Sequence, residues 1–185
     1  MALLPISLFG DPVLRERAAE VDIFDAALRK LADDMLETMR AAAGAGLAAN
    51  QVGVLKRLFT WEVPGADGHE PTHGAWVNPE VVDTSAEIQE GEEGCLSFPG
   101  LFFPCERPLR ARIRGFDVHG EEREEVGEGL LARIFLHEID HLNGILFIDH
   151  LARHDRKEAL RRIRSGELEA NAADRTATGT RERQL

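Results

Sequence analysis

Apolar residues recur at intervals of three and four through Leu28, Leu31, Met35, Leu36 and Met39, which predicts an amphipathic helix with one face in a core. Asp22 and Asp25 supply helix-start chemistry before it, and Gly44 can take the left-handed geometry that closes a helix. Upstream, Asp11 and Pro12 in GDPVLR mark a turn. Residues 54–63, VLKRLFTWEV, are β-branched and aromatic enough for a strand, and GADGHEPTHG after them is loop material. A second strand is predicted over 75–83, where Asn78 and Pro79 demand an edge position or a bulge.

Between Arg110 and His119 the apolar positions change parity, from Ala111 and Ile113 to Phe116 and Val118, which predicts a bulge around Gly115. EEREEVGE, residues 121–128, has the composition of a solvated hairpin or loop. From Leu130 to Asn143 apolar residues surround most of the helix circumference, so this helix is expected to lie deep, with Gly144 ending it. A further helical stretch covers 150–164. The remainder, GELEANAADRTATGTRERQL, has almost nothing to bury, and a disordered tail is expected over 165–185, leaving a single domain over 1–164.

Composition narrows the function classes. A chain of 185 residues suits one domain with a sizeable core. Its 22 Lys and Arg against 33 Asp and Glu give a net charge of −11, a field that repels phosphate backbones and anionic lipid surfaces. Neither nucleic-acid sequence recognition nor membrane association is expected. No apolar run is long enough to span a bilayer, and residues 1–9 lack the basic head and cleavage site of an export signal, so a cytoplasmic location is expected. With two cysteines, Cys95 and Cys105, a disulfide framework is not expected. Seven His and no Tyr bring imidazole and carboxylate chemistry forward.

That chemistry concentrates in His137-Glu138-Ile139-Asp140-His141, inside the deep helix. Residues four apart lie on one helical face, so both imidazoles can share one ion, and Glu138 lies close enough to exchange protons with water there. A helix flanked by LLARIF and LNGILF would bury three ionisable groups at a cost of several kcal/mol unless a cation compensates. His150 and His154 repeat the spacing, but Arg153, Asp155, Arg156 and Lys157 surround them and no carboxylate occupies the intervening base position. Two imidazoles leave a tetrahedral ion short of a protein ligand, and Cys95, in the shaped turn EEGCLSFPG, is the strongest candidate; Cys105 reads as a small buried hydrophobe. Three protein ligands would leave the fourth position to water, as in a catalytic site. The third feature is GAGLAANQVG, residues 44–53, a small-residue loop that lacks the phosphate-loop Lys but allows close approach of another backbone and ends on the Gln51 amide.

Together GAGLAANQVG, EGCLSFPG and HEIDHLNG, in this order and spacing, resemble peptide deformylase, and the similarity extends from GDPVLR at 10–15 to LFIDHL at 146–151. The resemblance implies an α+β domain with antiparallel sheets around a central metal-binding helix. It implies removal of the formyl group from N-terminal formylmethionine of nascent chains, with formate released. It makes Cys95, His137 and His141 the metal ligands, Glu138 the acid and base, and Gln51 with the backbone N–H of Leu96 the oxyanion donors. The implied ion is Fe²⁺, with Zn²⁺, Ni²⁺ or Co²⁺ accepted. Backbone contacts to the peptide are implied at Gly46, and a methionine pocket around Ala45, Leu130 and Ile134 with Glu93 nearby. Many relatives carry an Arg where this chain has Phe102, which implies a more apolar entrance, and Asn50 replaces a usual Pro or Thr. Residues 153–164, with six basic and two acidic side chains, are a candidate ribosome contact. The competing readings are a zinc endopeptidase of the His-Glu-x-x-His type and a non-catalytic, metal-stabilised peptide-binding protein.

Overall fold

Asp25 starts the first helix as its short acidic side chain allows, accepting the Leu28 N–H at 2.9 Å. The computed structural model describes residues 2–65, 69–168 and 171–172. In it α1 spans Ala26–Ala41 and buries Leu28, Ala32, Met35 and Met39. Its exit differs from expectation: the left-handed residue is Ala43, at φ 56°, and not Gly44. Gly44 is small for another reason, since a Cβ there would stand 2.7 Å from Leu96 Cδ1. The loop after α1 is thereby pressed against the loop that carries Cys95.

The main sheet is antiparallel throughout, in the order β1 (Gly46–Ala48), β2 (Leu58–Val63), β3 (Thr72–Thr84), β8 (Arg110–Phe116) and β9 (Glu122–Glu128). Two small sheets sit beside it: β4 (Ile88–Gln89) with β7 (Arg107–Pro108), and β5 (Glu92–Gly94) with β6 (Phe102–Pro104). With α2 (Leu130–Leu142) and α3 (Arg153–Arg164) these complete the α+β architecture.

The expected bulge at Gly115 lies on the neighbouring strand. Val77 pairs with Phe116 and Glu80 with Arg114, so the extra residue belongs to β3, at Asn78-Pro79, and a second irregularity follows between Val81 and Asp83. Asn78 takes φ 51° because its side chain accepts the Val21 N–H at 2.8 Å and donates to the Val21 carbonyl at 2.9 Å. β8 itself alternates without a break, burying Ala111, Ile113 and Gly115. Of the two readings of EEREEVGE the hairpin holds: Glu122–Glu128 is its second arm, paired with β8 from Phe116↔Glu122 to Arg110↔Glu128. Its glutamates match arginines on the outer face: Arg110 reaches Glu128 at 2.8 Å and Arg112 reaches Glu124 at 3.3 Å, while Arg114 reaches Glu80 of β3 at 3.0 Å.

α2 lies under the sheet as its apolar circumference requires. Ile134, Phe135, Ile139 and Leu142 are buried with Phe59, Trp61, Trp76 and Ile113. Phe135 meets Trp61 edge-on at 5.7 Å and Trp76 at 6.2 Å, the arrangement aromatic quadrupoles favour. The helix closes at Gly144, φ 74°, where the Arg15 carbonyl leaves no room for a Cβ. Most of the tail expected to be disordered, 173–185, lies outside the described residues. Directly after α3, however, Leu168 is buried in the core and Asn171 Nδ2 donates to the Pro99 carbonyl at 2.9 Å, so the chain still packs there. Among the described residues no helix is long and apolar enough to cross a membrane.

Candidate active site

α2 carries His137 and His141 one turn apart on its inward face, and the turn after β5 carries Cys95 to meet them. The ligand atoms of these three buried residues lie within 4.8 Å of one another, with Cys95 Sγ 3.1 Å from His141 Nε2. Donors around one tetrahedral ion with ordinary sulfur and imidazole bond lengths stand about 3.5 Å apart, so the cluster fits a single cation. His150 and His154 are not brought to it: His150 donates to Asp140 at 2.8 Å and His154 points into solvent beside Asp155.

Glu93 orients the first imidazole. A carboxylate only accepts, so His137 Nδ1 carries the hydrogen that reaches Glu93 Oε1 at 2.7 Å, which leaves Nε2 free as a metal donor. Glu93 is itself fully buried and gripped by Arg107 through two bonds, at 2.7 and 3.0 Å, and by Arg133 at 3.0 Å. Arg107 continues to Asp140 at 2.7 Å. Burial alone would raise the Glu93 carboxyl, but His137 and Arg107 outweigh it and hold the group far below the usual carboxylate range. Burial likewise opposes charge on His137, yet Cys95 and Glu93 raise it well above an ordinary imidazole; His141, buried beside His137, is lowered. Glu93, expected beside a methionine pocket, stands behind His137 with both oxygens engaged.

Glu138 points into the same site and is 1% exposed. Burial pushes its carboxyl up to about 7, with His137 opposing and Glu93 reinforcing the rise, and Oε2 has no partner among the described residues. A carboxyl poised near neutrality suits proton transfer in both directions. Gly46 makes room for it: a Cβ there would lie 2.8 Å from Glu138 Cδ.

Gln51 occupies a 3-10 turn after β1, Ala49–Val52, that presents its amide to the cluster. Its Oε1 accepts the Ala48 N–H at 2.8 Å, and Nε2 reaches Ser97 Oγ at 3.1 Å and Cys95 Sγ at 3.5 Å. Leu96 is buried in the cysteine turn, which Phe98 closes by donating to the Cys95 carbonyl at 2.8 Å. Ala45 and Ile134 are buried in one cluster, whereas Leu130, at the start of α2, is exposed. Phe102 lies over the backbone of Gly94, where a Cβ would stand 2.7 Å from its ring.

Five contributors escaped sequence reasoning. Asn50, read as a tolerated replacement, donates from Nδ2 to the His141 carbonyl at 2.6 Å, bracing the second ligand. Arg107 and Arg133 compensate Glu93, and nothing in their local sequence marks them. Ser97 and Asp140 could have been suspected, being two residues from Cys95 and between the two His respectively.

Residues 3–157 match the family model described as Polypeptide deformylase. A curated relative from Acidothermus cellulolyticus, named peptide deformylase, is 51% identical over 167 residues, covering 90% of this chain and 89% of the relative. A crystal structure of peptide deformylase from Ehrlichia chaffeensis in complex with actinonin aligns with TM-score 0.83 at 41% identity, over 90% of this chain and 99% of that one. A Met-Ala-Ser-bound class I type b peptide deformylase structure from Acinetobacter baumannii aligns with TM-score 0.76 at 38% identity, covering 81% and 99%.

Proposed function

The chain belongs to the polypeptide deformylase family, and from that premise we propose how its residues divide the work. The reaction is metal-dependent hydrolysis of the formyl group from N-terminal formylmethionine. The observation that carries the assignment of roles is the buried Cys95, His137 and His141 trio with Glu138 beside it.

Cys95, His137 and His141 would hold one divalent ion. When bound, it supplies Lewis acidity, polarising the formyl carbonyl and making water acidic enough to act as a nucleophile near neutral pH. Fe²⁺ is the ion we propose, with Zn²⁺, Ni²⁺ and Co²⁺ as substitutes, because one thiolate and two imidazoles suit several borderline ions. Glu93, fixed by Arg107 and Arg133, holds His137 in the tautomer the ion needs.

Glu138 accepts the proton of the attacking water as the oxygen bonds to the formyl carbon. The carbonyl oxygen gains negative charge, and Gln51 Nε2 with the Leu96 N–H donate to it; one such donor is typically worth about 3 kcal/mol in the transition state. The carbon–nitrogen bond then breaks while Glu138 returns the proton to the departing amine, giving formate and a free N-terminal Met. An extended peptide lies along Gly46 by strand addition, its Met side chain toward Ala45, Ile134 and Leu130. Phe102 offers an apolar wall where an Arg would grip a peptide carbonyl.

The physiological substrate we propose is the nascent chain in the cytoplasm, with α3 as the ribosome contact. Three of its six basic residues are engaged: Arg156 with Asp149, Arg161 with Glu158 and Arg162 with Glu167. Arg153, Lys157 and Arg164 are the charges offered outward. Reversing these three to Glu is expected to abolish ribosome association at low salt without changing hydrolysis of a short peptide.

The chemistry is tested by assaying metal-loaded protein on a formyl-Met tripeptide and on the unblocked peptide. Deformylation that falls by roughly 10²-fold or more in Glu138→Ala is expected. Deformylation undiminished in that variant overturns the role of Glu138, and internal cleavage of the unblocked peptide would assign endopeptidase chemistry instead.

A further inference from the structure

We infer that Ser97 is a positioning residue for Gln51, fixing which way its carboxamide faces; this rests on the reading of Gln51 as an oxyanion donor. A carboxamide is nearly symmetric in shape, and a half-turn would put its oxygen, not its donor, toward developing negative charge. Two contacts prevent that turn. Ala48 N–H holds Oε1 at 2.8 Å, and Ser97 Oγ takes one Nε2 hydrogen at 3.1 Å. The second Nε2 hydrogen is directed to the sulfur side of the site, with Cys95 Sγ at the longer distance of 3.5 Å.

Burial makes the hydroxyl informative. Ser97 is 0% exposed, and a hydroxyl in such a place costs stability unless it is bonded, whereas alanine would fill nearly the same volume without that cost. The partner it has is Gln51. The backbones of the two residues are also tied to one segment: Ser7 N–H donates to the Gln51 carbonyl at 2.7 Å and Phe9 N–H to the Ser97 carbonyl at 2.9 Å. Phe9 seats that segment by packing on Phe98, ring centroids 4.9 Å apart. The side-chain bond thus spans two loops whose spacing is already set, as a precise donor requires.

The test is a double-mutant cycle on the metal-loaded protein, using Ser97→Ala, Gln51→Ala and their combination. Ser97→Ala is expected to lower kcat roughly fivefold to tenfold, with KM, bound metal and melting temperature unchanged. Gln51→Ala is expected to cost about 10²-fold, and the double variant to be no slower than Gln51→Ala. Ser97→Cys, whose sulfur is only a weak acceptor, is expected to behave as Ser97→Ala and gives a second variant of similar bulk. If Ser97→Ala stays within about twofold of the parent while Gln51→Ala is slow, the inference falls and the oxyanion reading stands. Losses that multiply in the double variant also overturn it, because they show that the two residues act separately. A Gln51→Ala protein at full rate overturns the inference and the oxyanion reading together.

Discussion

Replacing Gly46 by Ala isolates the placement of Glu138 from its chemistry. The new Cβ would collide with Glu138 Oε1 and stand 2.8 Å from Cδ, where non-bonded carbons need about 3.5 Å, so the carboxyl group has to retreat by at least roughly 0.7 Å. Glu138 is 1% exposed on a helix packed against Phe59, Trp61 and Trp76, which leaves it little freedom to adapt elsewhere. A misplacement of about 1 Å can cost a catalytic group about 10²-fold, so kcat is expected to fall between roughly tenfold and a hundredfold, about 1.4 to 2.7 kcal/mol of barrier. Should β1 move instead, the strain appears as about 1 to 3 kcal/mol of lost stability. The assay is steady-state deformylation beside urea unfolding, with bound metal measured in both proteins. A Gly46→Ala protein with parental kcat and parental stability would refute the reasoning.

Arg107→Ala strips the buried Glu93 of its bidentate partner and is expected to destabilise the fold by about 3 to 5 kcal/mol in urea unfolding, with weaker metal retention. A loss below about 1 kcal/mol would show that Arg133 alone compensates that charge. The depressed Glu93 carboxyl gives stability that is fully present above its unfolded pKa of about 4.3 and is lost as pH falls toward its folded value. The stability deficit of Glu93→Gln should therefore be constant from neutral pH to about pH 5 and shrink below about 4.3; a deficit that grows on acidification contradicts the assignment. Removing the metal with a chelator is expected to abolish deformylation, with activity returning on addition of Fe²⁺, Co²⁺, Ni²⁺ or Zn²⁺ to different extents; full activity in metal-free protein would remove the Cys95, His137 and His141 site from the mechanism.

The sequence shows most clearly what local periodicity controls. The four-residue spacing of His137 and His141, the apolar circumference of α2 and the turn around Cys95 are all short-range patterns, and the structure joins them in one cluster. What escaped depends on distant contacts. The β3 bulge is held by Asn78 bonding to Val21, far back in the chain, so local parity around Gly115 pointed to the wrong strand. EEREEVGE is legible only as hairpin or loop, because it has no apolar alternation of its own and pairing with β8 decides between them. Ala43 takes the left-handed turn, while Gly44 lies against Leu96, a contact that only the folded chain reveals. The supports of the metal site, Arg107 on β7 and Asn50 after β1, are recognisable only once the chain brings them to Glu93 and to His141.

The five-stranded sheet ends on two unlike rims. One is the three uncharged residues of β1; the other is β9, whose Glu122, Glu124, Glu125 and Glu128 crowd four carboxylates into seven positions. Runaway head-to-tail stacking of copies would have to lay β9 of one molecule against β1 of the next, taking the Arg110–Glu128 and Arg112–Glu124 pairs and the remaining carboxylates out of water beside a Gly-Leu-Ala strand that brings no charge of its own. If a peptide adds to β1 as proposed, the acidity of β9 would disfavour the edge-to-edge pairing of copies that such a margin would otherwise invite.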